Sequence, residues 1–238
     1  YQLNADGLTL VKWTNSSTTT LDMQADSKLQ RVNTIAFEAF KGSNLTSIVF
    51  PNSLKEIGDE AFSGTKLTGG VKFNTTSNVV FGKKAFYFSD IVSVQLPYTT
   101  EISRSMFSNC YHLKEVTFGK VGVISNGAFH SCHALTQVDL RGSGVRQIGE
   151  AAFASCTALT KVFLPASVEK IDDLVFGYCR SLQSITIDAL NPPTLGDDIF
   201  FGLNADQIPN IYVPAISVSD YKKAAFWSTY AAKIHPKP

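Results

Sequence analysis

IGEAAFASCTALTKVFLP, residues 148–165, decides how this chain is read, because the chain writes that sentence about eight times. Alignment on one phenylalanine gives Phe40, Phe62, Phe86, Phe107, Phe129, Phe153, Phe176 and Phe200. The steps are 22, 24, 21, 22, 24, 23 and 24 residues. Five positions before each Phe stands an apolar residue, from Ile35 to Leu195. Five or six after it stands Leu or Ile, from Leu45 to Leu182. A fixed period of this length marks stacked units that each form one coil.

Within a copy the period changes. LTSIVF (45–50), IVSVQL (91–96), LKEVTF (113–118), LTQVDL (135–140), LTKVFL (159–164) and LQSITI (182–187) end in period-2 alternation, the pattern of a short strand with one buried face. Successive strands run the same way, so the sheet is parallel. Pro51, Pro97 and Pro165 follow three of them, and a residue without an N–H suits a strand end. A polar connection with an apolar anchor then leads to the Ile and into GDEAF (58–62) or its equivalents. This segment reads as one helical turn with Ala and Phe facing in. One coil cannot bury its apolar face alone, whereas stacked coils share a continuous core.

The copies resemble the BspA-type leucine-rich repeats of bacterial surface proteins, whose consensus runs roughly L-x-x-I-x-L-P-x-x-(V/L)-x-x-I-G-x-x-A-F-x-x-C. Residues 148–165 and LKEIGDEAF (54–62) carry the resemblance most closely, and it spans roughly residues 30 to 235. The expected fold is a β-rich α/β right-handed leucine-rich-repeat solenoid. Short parallel strands line its concave face, helical turns and short extended segments its convex side, and a helical cap its C-terminal end.

Three segments of one structural domain are expected. Residues 1–30 form an N-terminal cap, with strand character in GLTLVKW (7–13). Residues 31–205 form about eight coils, and residues 206–238 a last strand and the helical cap. In LTGGVKF (67–73) one extra residue and Gly69-Gly70 point to a bulge, a close backbone approach or a plain variation in coil length. SVSDYKKAAFWSTYAAKI (217–234) reads as a helix capped by Ser217 or Ser219 and lying across the open end. The tail resembles the "YVPAGSVDAYKAAxGWSxYADKI" ending of gut Bacteroides surface proteins of this family. Here Ile216 stands where a Gly is usual, and Phe226-Trp227 replaces Gly-Trp.

Composition narrows the function. Lys plus Arg is 21 against 20 Asp plus Glu, a net charge of +1 with no basic run, which gives no support for nucleic acid or an anionic membrane surface. No apolar run approaches the ~18 residues of a membrane span. The chain starts at Tyr1 and shows no signal peptide, so it reads as a mature or trimmed form.

Catalytic motifs are lacking: there is no nucleophile elbow, His-Glu-x-x-His pair or phosphate loop. The pairs Asp172-Asp173 and Asp197-Asp198 fit helix starts. Cys110, Cys132, Cys156 and Cys179 each lie three residues after the repeat Phe, where other copies place Ser43, Thr65 and Ser89. The position asks for a small buried side chain, so four free thiols are expected. The spacing of these thiols with His112, His130 and His133 matches no usual zinc pattern. No cofactor or metal is expected.

The strand residues that point outward remain. A concave binding face of Glu115, Gln137, Asp139, Lys161, Phe163 and Ser184 is expected, with Phe163 as its exposed aromatic. The resemblance implies a non-enzymatic, extracellular or outer-membrane-surface module that binds protein or adheres to host or other cells. The expected partner is a host matrix or cell-surface protein, or a glycan, engaged by a monomer. The alternatives are a structural spacer within a larger envelope protein and, remotely, an enzyme.

Overall fold

A computed structural model describes all residues, 1–238. Each coil but the last contributes one strand to each of two ladders. The long ladder holds β3 (Thr20–Asp22), β5 (Ser47–Val49), β7 (Gly70–Lys72), β9 (Ser93–Gln95) and β11 (Glu115–Thr117). It continues with β13 (Gln137–Asp139), β15 (Lys161–Leu164), β17 (Ser184–Ile187), β19 (Asn210–Val213) and β20 (Ile234–Pro236). Ten coils are therefore present, two more than the Phe alignment finds. The short ladder holds β1 (Gln2–Leu3), β2 (Thr9–Lys12), β4 (Thr34–Ile35), β6 (Glu56–Ile57) and β8 (Val80–Phe81). Beyond these come β10 (Glu101–Ile102), β12 (Val123–Ile124), β14 (Gln147–Ile148), β16 (Lys170–Ile171) and β18 (Thr194–Leu195). Every pairing is parallel except β1 with β2. The first residues, expected as a cap, thus supply an antiparallel edge (β1) and strands to both ladders.

The Phe segment is not a helical turn. Residues two before and two after each Phe have positive φ: Glu60 (53°) and Gly64 (67°) flank Phe62, and Asp198 (49°) and Gly202 (76°) flank Phe200. A helix would aim each N–H along its own axis. Alternate left-handed residues aim every second N–H at the next coil instead. Glu60 N–H donates to the Lys83 carbonyl at 2.9 Å, Phe62 N–H to Ala85 at 2.7 Å and Gly64 N–H to Tyr87 at 2.9 Å. The remaining N–H groups close three-residue turns, as from Ser63 to the Glu60 carbonyl at 3.0 Å. Each left-handed non-glycine residue costs about 1–2 kcal/mol, and the inter-coil bonds that this geometry permits offset part of that cost.

The turns place the Phe rings in one stack. Centroids are 4.7 Å apart from Phe40 to Phe62, 5.3 Å from Phe129 to Phe153 and 6.2 Å from Phe176 to Phe200, with planes within 24°. Trp13 extends the stack beyond Phe40 at 5.4 Å, and Tyr230 closes it edge-on to Phe200 at 5.1 Å. Around the stack lies one core of 62 buried residues.

All four cysteines are free and buried. Each thiol donates to the Phe carbonyl of the coil before: Cys110 to Phe86 at 3.0 Å, Cys132 to Phe107 and Cys156 to Phe129 at 3.2 Å, and Cys179 to Phe153 at 3.1 Å. The repeat position therefore asks for a small donor as well as a small volume. His112 lies outside the core, 3.9 Å from Asp90.

The glycine after the repeat Ile has a steric reason. A Cβ on Gly82 would lie 2.3 Å from the Asp59 nitrogen, and one on Gly149 2.8 Å from the Asn126 nitrogen. The extra residue of 67–73 is absorbed by positive φ at Leu67 (37°) and Gly70 (92°). Gly69 approaches the backbone of the preceding coil closely, its N–H donating to the Thr46 carbonyl at 2.8 Å.

The C-terminal segment is not one helix. A single α-helix, α1 (Val218–Lys223), is followed by 3-10 turns over Trp227–Lys233. Ser217 sits at the N-cap position without a side-chain cap bond. Phe226 interrupts the segment with φ 62° and ψ −36°, and Trp227 N–H donates to the Ala225 carbonyl at 2.8 Å. That is a γ-turn of the strained kind, at the position where the resembled tails carry Gly. The segment docks by two buried rings. Tyr221 Oη donates to the Ala189 carbonyl at 2.9 Å, and Trp227 Nε1 to Pro193 at 2.7 Å.

Candidate functional site

The two ladders are not continuous, and the length of the polar connection accounts for the breaks. From the inward-facing residue at the end of a long strand to that of the next short strand, Phe50 to Ile57 is seven residues and Phe73 to Phe81 eight. Leu96 to Ile102 and Phe118 to Ile124 are six, Leu140 to Ile148 eight, Leu164 to Ile171 seven and Ile187 to Leu195 eight. A step of one residue is absorbed: β5 pairs with β7, and β13 with β15, over three residue pairs. Steps of two are not. Where eight becomes six, β8 and β10 fall in separate sheets and β7 keeps only Val71 against Val94 of β9. Where six becomes eight, β11 and β13 separate, while β12 and β14 stay paired behind them.

At the second break the long-strand face carries an open cleft of about 600 Å³. Its walls are Lys114 to Phe118 on one side and Thr136, Gln137, Asp139 and Arg141 on the other. In the flanking coils Leu96 N–H reaches the Thr117 carbonyl and Leu140 N–H the Phe163 carbonyl, both at 2.9 Å. The equivalent bond from Phe118 N–H to the Asp139 carbonyl is not made, nor is that from Thr136 N–H to the Lys114 carbonyl. Phe118 is half-buried, where Leu96 and Leu140 are buried.

The six residues expected to form the binding face occupy four successive long strands. Glu115, Gln137 and Asp139 line the cleft. Lys161 and Phe163 stand beside Gln137 and Asp139 in register, and Ser184 stands beside Lys161. Phe163 is not an exposed aromatic. It is half-buried, and the Arg141 guanidinium lies 4.3 Å from its ring centroid. Arg141 also clamps Asp139, with Nε to Oδ1 at 2.9 Å and Nη2 to Oδ2 at 2.6 Å. That clamp holds the Asp139 carboxyl below its ordinary range.

Arg141, Phe118, Lys114 and Thr136 were not among the expected face residues. The signal that points to them is the change from six to eight in connection length, which is readable in the sequence.

The paired aspartates serve packing. Asp173 Oδ1 accepts Asp197 N–H at 2.8 Å, and Asp59 Oδ1 accepts Lys83 N–H at 2.7 Å, each joining its coil to the next. Asp172 pairs with Lys170 at 2.6 Å. On another edge Phe88, Tyr111 and His133 form an exposed row, with Tyr111 stacked on His133 at 5.0 Å.

The family described as "BspA type Leucine rich repeat region" matches residues 15–136 and 122–235, in six copies. The chain belongs to this family. Among solved structures it is similar to a leucine-rich cell surface protein from Faecalibacterium prausnitzii, at 20% identity over 100% of this chain and 96% of that one, with a TM-score of 0.43. It is also similar to the pneumococcal vaccine antigen PcpA, at 16% identity over 97% and 91% of the two chains, TM-score 0.43. A leucine-rich repeat protein from Bacteroides ovatus aligns at 17% identity over 100% and 94%, TM-score 0.31. No curated protein sequence matches significantly. No helix of this BspA-type solenoid is long and apolar enough to cross a membrane.

Proposed function

We propose that this BspA-type solenoid is a non-enzymatic binding module, displayed outside a bacterial cell, that holds a protein of a host or neighbouring cell along its long-strand face. The observation that carries this reading is the open ladder between β11 and β13. It gathers Glu115, Gln137 and Asp139 into one cleft, with Lys161, Phe163 and Ser184 beside them. Solenoids of this kind offer long, regular surfaces for such contacts. Main-chain groups left unpaired at a surface favour a partner that can pair them. The chain acts as a monomer in this reading.

Capture from a panel of matrix and cell-surface proteins tests it, with the chain carrying Gln137→Ala and Lys161→Ala as control. A saturable partner, weakened at least about tenfold by the double change, a loss of about 1.4 kcal/mol, supports the module. Equal capture by both forms removes the long-strand face from the account.

A spacer role is the second reading, and the unbroken Phe stack from Phe40 to Phe200 favours it, since it stiffens the rod end to end. Silence across the panel would move the weight there.

A further inference from the structure

We propose that the cleft between β11 and β13 is a sugar site, taking a neutral hexose unit of a glycan carried by the partner. The inference rests on the long-strand face being the binding face and names what one part of it recognises.

Distance excludes an inserted strand. Unpaired strand edges usually invite an added strand. To insert one, β11 and β13 would have to stand two ladder spacings apart, about 9.6 Å. Their Cα atoms approach within 8 Å, so no peptide strand fits between them. The occupant must lie across the mouth and reach in with small polar groups.

The hydrogen-bond pattern selects hydroxyl groups. Phe118 N–H and Thr136 N–H offer donors, and the Asp139 and Lys114 carbonyls offer acceptors, without partners in the chain. The side chains of Glu115, Gln137 and Thr117 likewise make no hydrogen bond within the chain and line the same opening. A ligand that satisfies interleaved donors and acceptors needs groups that are both at once. Hydroxyls are such groups, and vicinal hydroxyls match the paired oxygens of a carboxylate or the O and N of an amide.

Charge and shape favour a neutral ligand. Lys114 and Arg141 balance Glu115 and Asp139, and Asp139 is already neutralised by the Arg141 clamp. A charged ligand gains nothing there. Phe118, whose ring packs edge-on against core Phe129 at 5.8 Å, keeps part of its surface in the cleft as a small apolar patch for the C–H groups of a sugar. The opening of about 600 Å³ suits one or two such units. The clamp also holds Arg141 over Phe163, so this wall is preorganised.

Backbone amide NMR on the full chain tests the site, with lactose, maltose, N-acetyllactosamine and sialyllactose as probes to 20 mM. The expected result is a saturable shift of the Phe118 and Thr136 amides with at least one neutral probe, with Kd on the order of 1 mM. Sialyllactose should give a weaker shift. Gln137→Ala and Glu115→Gln, both at exposed positions, should each weaken the shift severalfold while the rest of the spectrum stays unchanged. No shift with any neutral probe, or shifts centred outside the cleft, overturns the proposal. So does tighter binding of sialyllactose. A captured protein partner that binds equally well after its glycans are removed, yet is lost with Lys161→Ala, overturns the sugar site alone and leaves the binding face standing.

Discussion

At the scale of single residues, the chain carries strain in one place where a conservative repair is available. Phe226 holds φ 62° in a γ-turn and is 52% exposed. Little burial is lost by removing its side chain, and glycine enters that region freely. Phe226→Gly should therefore raise stability by about 1 kcal/mol in urea unfolding; a loss of stability would show that the Phe ring holds the cap. The cysteines give a second test. Burial pushes the Cys110 thiol up to about 12 and raises Cys132 and Cys179 as well. With its folded value this high, Cys110 stays a thiol across ordinary pH, and burial denies reagents access to all four. Ellman's reagent should titrate no thiol in the native chain at pH 8 and four after unfolding. Cys156→Ala should cost about 1 kcal/mol through loss of one of the two hydrogen bonds to the Phe129 carbonyl, which keeps the Cys132 N–H at 3.2 Å, and Cys156→Ser less. For Asp139 the shift is downward. Its clamp on Arg141 is present above the ordinary carboxylate value and lost only as pH falls below it, so the cleft keeps its shape at neutral and mildly acidic pH.

At the scale of elements, the long strands and their outward residues were legible because period 2 is set by the pleat itself. From β13 onward the outward residues, such as Gln137, Lys161 and Ser184, stand in register, whereas Glu115 and Gln137 are separated by the break between β11 and β13. The Phe turn was not legible as such. GDEAF has the composition of a helical turn, and only stacking reveals that its alternate N–H groups bond to the next coil. The C-terminal segment misled for a related reason. Helical spacing continues through residues 217–234, but Tyr221 and Trp227 are placed by carbonyls of the Ala189–Pro193 loop, and the chain breaks to reach both. Gly82→Ala should destabilise by about 1–3 kcal/mol or more, because its Cβ would meet main chain that cannot yield without unstacking two coils. An unchanged unfolding midpoint would contradict the close approach.

At the scale of the whole molecule, stability is a sum over neighbouring coils, so each end matters. Trp227→Ala should cost about 3–5 kcal/mol and loosen the last coils first. Uniform loss of exchange protection along the rod would contradict that order. The candidate site is also a property of the whole stack. No residue in Glu115–Thr117 or Gln137–Asp139 departs from the repeat. The break arises because six-residue connections are followed by an eight-residue one, and two adjacent coils then cannot meet along both ladders. Reading residues singly therefore names three of the nine residues that line the cleft and misses Arg141 and Phe118. Reading coil lengths locates it.

That open ladder underlies both the binding face and the sugar site, and amide hydrogen exchange at three equivalent positions tests it. Leu96 and Leu140 N–H groups bond to the next coil, and Phe118 N–H does not. Phe118 should exchange on the order of 100-fold or more faster than Leu96 and Leu140 in the native chain. Equal protection at the three positions would mean that β11 and β13 pair in solution, and it would contradict the account.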